Sequence, residues 1–161
     1  MNDLVSSEWL ADNLGAEDLA IVDCSFHMPA DGRDAKVEFA DAHIPGARFL
    51  DIDTIADTDH PAPHMLPSAA DFARAMSALG IGHDDRIVVY DNSPYRTAAR
   101  GWFMFRHFGA ERIAILDGGF QKWRGEGRPT ERGEAAPREA RSEAHARGDE
   151  VIDKDRLLKG V

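Results

Sequence analysis

Three stretches of this chain are apolar almost without interruption: Leu19–Ser25 (LAIVDCS), Arg86–Asp91 (RIVVYD) and Arg112–Asp117 (RIAILD). Each ends in Asp or Ser. A strand with one face in water alternates apolar and polar residues. Unbroken apolar character predicts strands buried on both faces, as in a parallel sheet. Ala47–Leu50 (ARFL) is a shorter candidate strand.

Between these runs the period changes from two to that of a helix. Ser7–Leu14 is amphipathic, with Ser6 placed to cap it. In Ser68–Leu79, Phe72, Met76 and Leu79 fall on one face, Ser68 caps the start and Asp71 stands at the N3 position. Gly80 then supplies a left-handed stop. Ala98–Phe108 is expected to bury Trp102, Met104 and Phe105 and to end at Gly109. Phe120–Arg124 follows a tight turn at Asp117-Gly118-Gly119. Strands alternating with helices on this scale predict an α/β fold.

From Arg124 to Glu150 apolar residues almost vanish, and Gly, Pro and mixed charge take over. That is the composition of a linker. Val151–Val161 looks structured again and can be laid on the start of the chain. Leu4-Val5-Ser6-Ser7-Glu8-Trp9-Leu10 matches Val151-Ile152-Asp153-Lys154-Asp155-Arg156-Leu157 as two apolar residues, a capping residue and a helix. We therefore expect a domain at 1–130, a charged linker at 131–150, and the start of a second, truncated copy at 151–161.

Net charge is −10. Nucleic acid and anionic membranes need a basic face, so neither is expected as the main partner. Cys24 is the single cysteine, so no disulfide can form within the chain, and a reducing compartment is expected. The start, MNDLVSSEWL, has no signal-peptide pattern, and no apolar run would span a bilayer. These features predict a cytoplasmic location.

Phe39-Ala-Asp-Ala-His43-Ile44-Pro45-Gly46-Ala47-Arg48-Phe49-Leu50 is physically a turn leading into a strand. As a pattern, F-x3-H-I-P-G-A-x2-L resembles the rhodanese domain signature. Leu116-Asp117-Gly118-Gly119-Phe120-Gln121-Lys122-Trp123 resembles that family's closing motif, and Ile87–Asp91 its central strand. Asp51-Ile52-Asp53 followed by His64-Met65-Leu66-Pro67 is similar to the first domain of two-domain mercaptopyruvate sulfurtransferases. The resemblance runs from about Leu4 to Pro129. It implies a central, mostly parallel sheet of about five strands with helices on both faces.

It also implies roles. In an active domain of this family a cysteine opens the loop after the central strand, and its thiolate becomes a persulfide. Here Asp91 stands there, a hard carboxylate that forms no persulfide equivalent. In two-domain members the second domain keeps the cysteine. The first lends an Asp and a His, which act with a serine of the second domain's cysteine loop. Asp53 and His64 match that pair: a carboxylate to fix the imidazole tautomer, and an imidazole to carry a proton. Arg96 and Arg100 belong to the same degenerate loop as Asp91. Arg100 is expected in a buried ion pair, and Arg96 as a solvated side chain. Cys24 is expected as a buried small hydrophobe.

Two decoys are set aside. Asp51-Ile52-Asp53-Thr54 has the D-x-D of aspartate-nucleophile phosphatases, but Ile55 stands where a Thr or Val is needed. His60 and His64 have a zinc-like spacing, but Pro61 and Pro63 exclude a shared helical face. No metal and no cofactor are expected.

The expected function is one half of a sulfurtransferase. It would move sulfur from 3-mercaptopyruvate to a thiol or cyanide acceptor through a persulfide on a second domain. The expected partners are that second rhodanese domain in cis, a small anionic sulfur donor, and a thiol acceptor such as a thioredoxin-like protein. This chain alone is expected to be inactive. The alternatives are a thiosulfate sulfurtransferase and a non-enzymatic binding or regulatory module.

Overall fold

The computed structural model describes residues 1–136, 138–148 and 150–160. Five parallel strands form one sheet in the order β1-β5-β4-β2-β3. They are β1 (Leu4–Val5), β2 (Leu19–Asp23), β3 (Arg48–Phe49), β4 (Arg86–Tyr90) and β5 (Ile113–Leu116). Between them run α1 (Ser7–Asn13), α2 (Ala35–Asp41), α3 (Ala69–Ala78), α4 (Ala98–His107) and α5 (Gly119–Gly125), with α6 (Lys154–Lys159) near the C-terminal end. No helix among the described residues is long and apolar enough to cross a membrane.

The unbroken apolar runs are explained by two cores. Ala20, Val22, Ile87, Val89 and Ile113 point to one face, where Phe72 and Met76 of α3 and Met104 and Phe105 of α4 cover them. Ile21, Val88, Ala114 and Leu116 point to the other, under Leu10 of α1, Phe39 of α2, and Phe120 and Trp123 of α5. Side chains alternate between the faces, but both faces are dry. Trp123 is fully buried, and its indole donates to the Pro129 carbonyl at 2.7 Å.

The expected caps are in place. Ser6 accepts from the Trp9 amide at 3.1 Å, Ser68 accepts from the Asp71 amide at 3.1 Å, and Gly80 has φ +72°. Trp102 differs from expectation: it is half-buried at the edge of the α4 core, beneath the Arg106 guanidinium. The helix α2 has no counterpart in the hydrophobic pattern. Its cap, Asp34, receives the amides of Lys36 and Val37, but one buried side chain, Phe39, gives too little periodicity to read.

Residues 131–136 and 138–148 have a linker's composition and lie docked along the domain. Glu131 and His43 exchange backbone hydrogen bonds at 3.0 and 2.9 Å. Arg138 places both terminal nitrogens on the Asp85 carboxylate at 2.8 and 2.7 Å. Ser142 and His145 bond to α3 and to the end of α4, and Ala144 packs on the core. At α6, Asp153 accepts the Arg156 amide at 2.6 Å, the same capping geometry as Ser6 on Trp9.

Candidate functional site

Ligand sites in open parallel sheets lie beyond the carboxyl ends of the strands. Here those ends carry Asp23 and Asp91 on neighbouring strands, both nearly buried. Asp91 leaves β4, and its carboxylate turns inward on its own loop. One oxygen accepts the Ala98 amide at 2.7 Å, at the N-terminus of α4. The other accepts the Ser93 amide at 3.2 Å. The Asp91 carbonyl accepts the Phe120 amide at 2.9 Å. A Cβ added at Gly119 would sit 2.7 Å from that carbonyl oxygen, which is why the Asp-Gly-Gly turn tolerates no side chain there. The amides that could cradle an external anion are filled by an internal one. A cavity of about 310 Å³ opens beside this loop, lined by Asp91, Arg96, Ala99 and Asp117 to Gly119.

Asp23 feels both its neighbours and its burial. Loss of water pushes its carboxyl up to about 6, against hydrogen bonds from Ser25, with the nearby Asp91 charge adding to the rise. Nothing in the sequence flagged this residue except its place near the end of an apolar run. Cys24 follows it and faces the opposite core. Burial pushes its thiol well above its ordinary range, with the charges of Asp23 and Asp91 adding to this. It is therefore protonated at neutral pH and closed to solvent. A Cβ on Gly101 of α4 would collide with its sulfur, so the pair is a close-packing contact between α4 and the residue that follows β2.

Asp53 and His64 are brought together. His64 Nε2 lies 2.7 Å from Asp53 Oδ1. Asp51 builds the turn that presents Asp53: its carboxylate accepts the Asp53 amide at 3.0 Å and its carbonyl the Ile55 amide at 2.9 Å. The Asp57 amide donates to the Met65 carbonyl at 3.0 Å and closes the loop behind His64. Phe26 meets the imidazole edge-on, with ring centroids 4.9 Å apart. His64 has φ +58°, a left-handed conformation that costs a non-glycine residue about 1–2 kcal/mol. His60 turns back to accept the Ala62 amide and is no partner in a metal site. Among the described residues no group of three or more His, Cys, Asp or Glu side chains could hold a metal ion.

Arg100 corrects an expectation. No carboxylate among the described residues lies within ion-pair distance of it. Its Nη2 donates instead to the His64 carbonyl at 2.6 Å. The first turn of α4, where it sits, faces the His64 loop and offers no acid. Loss of water lowers its pKa from the usual guanidinium value. Arg96 is exposed, with φ +55°, at the mouth of the cavity.

Comparison with known proteins decides the family. A profile of the Rhodanese-like domain family matches residues 6–126. The chain belongs to the rhodanese-like domain family. This rhodanese-like domain is 48% identical over 124 residues to the mitochondrial thiosulfate/3-mercaptopyruvate sulfurtransferase 1 of Arabidopsis thaliana, covering 77% of this chain and 33% of that protein. It is 41% identical over 140 residues to the 3-mercaptopyruvate sulfurtransferase of Homo sapiens, covering 83% of this chain and 47% of that one. SseA from Escherichia coli, a solved structure of the 3-mercaptopyruvate enzyme class with the rhodanese fold, superposes with a TM-score of 0.92 at 33% identity, over 99% of this chain and 62% of its own. The domain thus spans between a third and about half of the curated relatives it matches.

Proposed function

We propose that this rhodanese-like domain is the supporting half of a two-domain sulfurtransferase acting on 3-mercaptopyruvate. The observation that carries the reading is the Asp91 carboxylate. It occupies the loop where the family's thiolate would stand, and the backbone amides of Ser93 and Ala98 hold it there. The sole cysteine of the chain is buried elsewhere. The nucleophile is then a cysteine on a second domain beginning near Val151. The cap shared by Asp153 and Ser6 and the docked segment before it support that division. This half by itself is inert.

In the reaction, the second domain's thiolate attacks the donor sulfur. The carbon–sulfur bond breaks, the electron pair leaves with carbon as the pyruvate enolate, and a proton restores pyruvate. The resulting persulfide gives its outer sulfur to a thiol such as that of a thioredoxin-like protein, or to cyanide. Asp53 and His64 serve the proton and carbonyl side of this step. A carboxylate 2.7 Å from the imidazole fixes its tautomer and stabilises the imidazolium when a proton arrives. By the family resemblance, in which the thiosulfate branch tends to carry an apolar residue before Met-Leu-Pro, His64 directly before Met65-Leu66-Pro67 favours 3-mercaptopyruvate over thiosulfate. A lone thiol fits a reducing compartment, and we place the protein in the cytoplasm.

Turnover is measured with 3-mercaptopyruvate and with thiosulfate, for this chain alone and joined to a second rhodanese domain that carries the cysteine loop. The chain alone is expected to show none. In the joined protein, Asp53→Asn and His64→Asn are each expected to lower kcat on 3-mercaptopyruvate by roughly 100-fold. Unchanged kcat in both variants, or turnover by the isolated chain, overturns the reading.

A further inference from the structure

We propose that Arg100 is a positioning residue for the Asp53–His64 pair: from the first turn of α4 it grips the His64 carbonyl and so fixes the imidazole against Asp53. This rests on the reading of that pair given above. Three observations carry it. The guanidinium donates to the His64 carbonyl at 2.6 Å, a charge-assisted bond shorter than most neutral ones. His64 holds φ +58°, a conformation that persists in a non-glycine residue only when its surroundings over-determine it. Among the described residues Arg100 has no acidic partner, and its Nε is buried without a hydrogen bond. Among the described residues the His64 carbonyl is therefore the one acceptor it engages.

The clamp is closed from the other side. Phe26 packs edge-on against the imidazole, and Asp53 holds Nε2. The ring is thus fixed by three groups from separate parts of the chain. The arginine's own place is set by Asp91, whose carboxylate anchors the Ala98 amide two residues earlier. The Asp91 loop, without a nucleophile, still sets the first turn of α4, and α4 in turn sets His64. The segment Asp57–Met65 has one internal backbone tie between its ends, from the Asp57 amide to the Met65 carbonyl. Without the guanidinium the left-handed His64 backbone would relax, and the imidazole would swing from both Phe26 and Asp53.

The test uses the 161-residue chain labelled with ¹⁵N and ¹³C. In the wild type, a hydrogen-bond scalar coupling from an Arg100 Nη to the His64 carbonyl carbon is expected; its absence overturns the proposal and requires no variant. Arg100→Met, which keeps the length and apolar stem, is expected to retain the amide spectrum of the sheet. It is expected to lose the cross-peak between the Phe26 and His64 rings and to give ¹⁵N shifts of mixed His64 tautomers. Arg100→Met with that cross-peak and a single tautomer intact overturns the proposal, since a merely structural arginine would leave the ring where it is. Asp53→Asn is expected to keep the ring cross-peak, because Arg100 and Phe26 remain. The relay reading is judged by turnover and this one by the spectrum, so each can fail alone.

Discussion

Replacing Asp91 by alanine removes a buried carboxylate that serves as an internal anion. Two amide donors, those of Ala98 and Ser93, lose their acceptor at a residue only 6% exposed. A buried donor left unpaired costs about 1–3 kcal/mol, and loss of a helix cap costs about 0.5–2 kcal/mol. These overlap at Ala98, and water can reach the loop from the neighbouring cavity. The expected loss is therefore about 2–4 kcal/mol. A chain of this size shifts by about 2–4 °C in Tm per kcal/mol, which gives a fall of roughly 5–15 °C. Asp91→Asn keeps one acceptor oxygen but not the charge at the N-terminus of α4. It is expected to lose about half as much. Urea titration at pH 7 with paired calorimetry reads both. A change below about 0.5 kcal/mol in Asp91→Ala, the level of an ordinary surface substitution, would refute the view that this carboxylate fills its own cradle.

Three further outcomes follow from the packing and the buried charge. Folding lifts the Asp23 carboxyl from 3.8 to about 6, so the native state binds its proton more tightly than the unfolded chain. Its contribution is complete below about pH 4 and is lost as pH rises through about 6, a span worth on the order of 3 kcal/mol. The stability difference between wild type and Asp23→Asn, followed by urea midpoints from about pH 4 to 8, should move in favour of Asn over that window; a flat difference contradicts the assignment. Gly101→Ala adds a Cβ onto the Cys24 sulfur. It should destabilise by about 1–3 kcal/mol although alanine is the better helix former by about 1 kcal/mol, and adding Cys24→Ala should recover part of the loss. Arg138→Ala strands Asp85, which is 7% exposed, and should cost about 2 kcal/mol and speed proteolysis between residues 131 and 148; an unchanged cleavage rate would show that the docked segment is held by other contacts.

The strands were legible because continuous apolar runs have one cheap solution, burial on both faces. The three long runs lie where the pattern places them, each trimmed by a residue or two at the ends. The caps at Ser6 and Ser68 and the stop at Gly80 follow from local chemistry, which the chain states outright. The two-residue strand β1 and the helix α2 were not legible, because neither carries enough periodic residues to rise above its surroundings. Their places are set by pairing with β5 and by the single anchor Phe39. Within the site, Asp53, His64 and Asp91 stand out by resemblance, not by physics alone. Arg100 reads as an ion-pair partner in the sequence because its acceptor is a backbone carbonyl 36 residues away, which no side-chain pattern announces. The buried state of Asp23 was equally hidden: an Asp at a strand end reads as a boundary until the neighbouring strand closes over it.

The most direct measurement is the intact mass of this chain after incubation with 3-mercaptopyruvate, and separately with thiosulfate, under non-reducing conditions. The account predicts an unchanged mass, since the strand exit offers a carboxylate and the lone thiol is protonated beneath α4. A stable gain of one sulfur atom on the folded chain would contradict it.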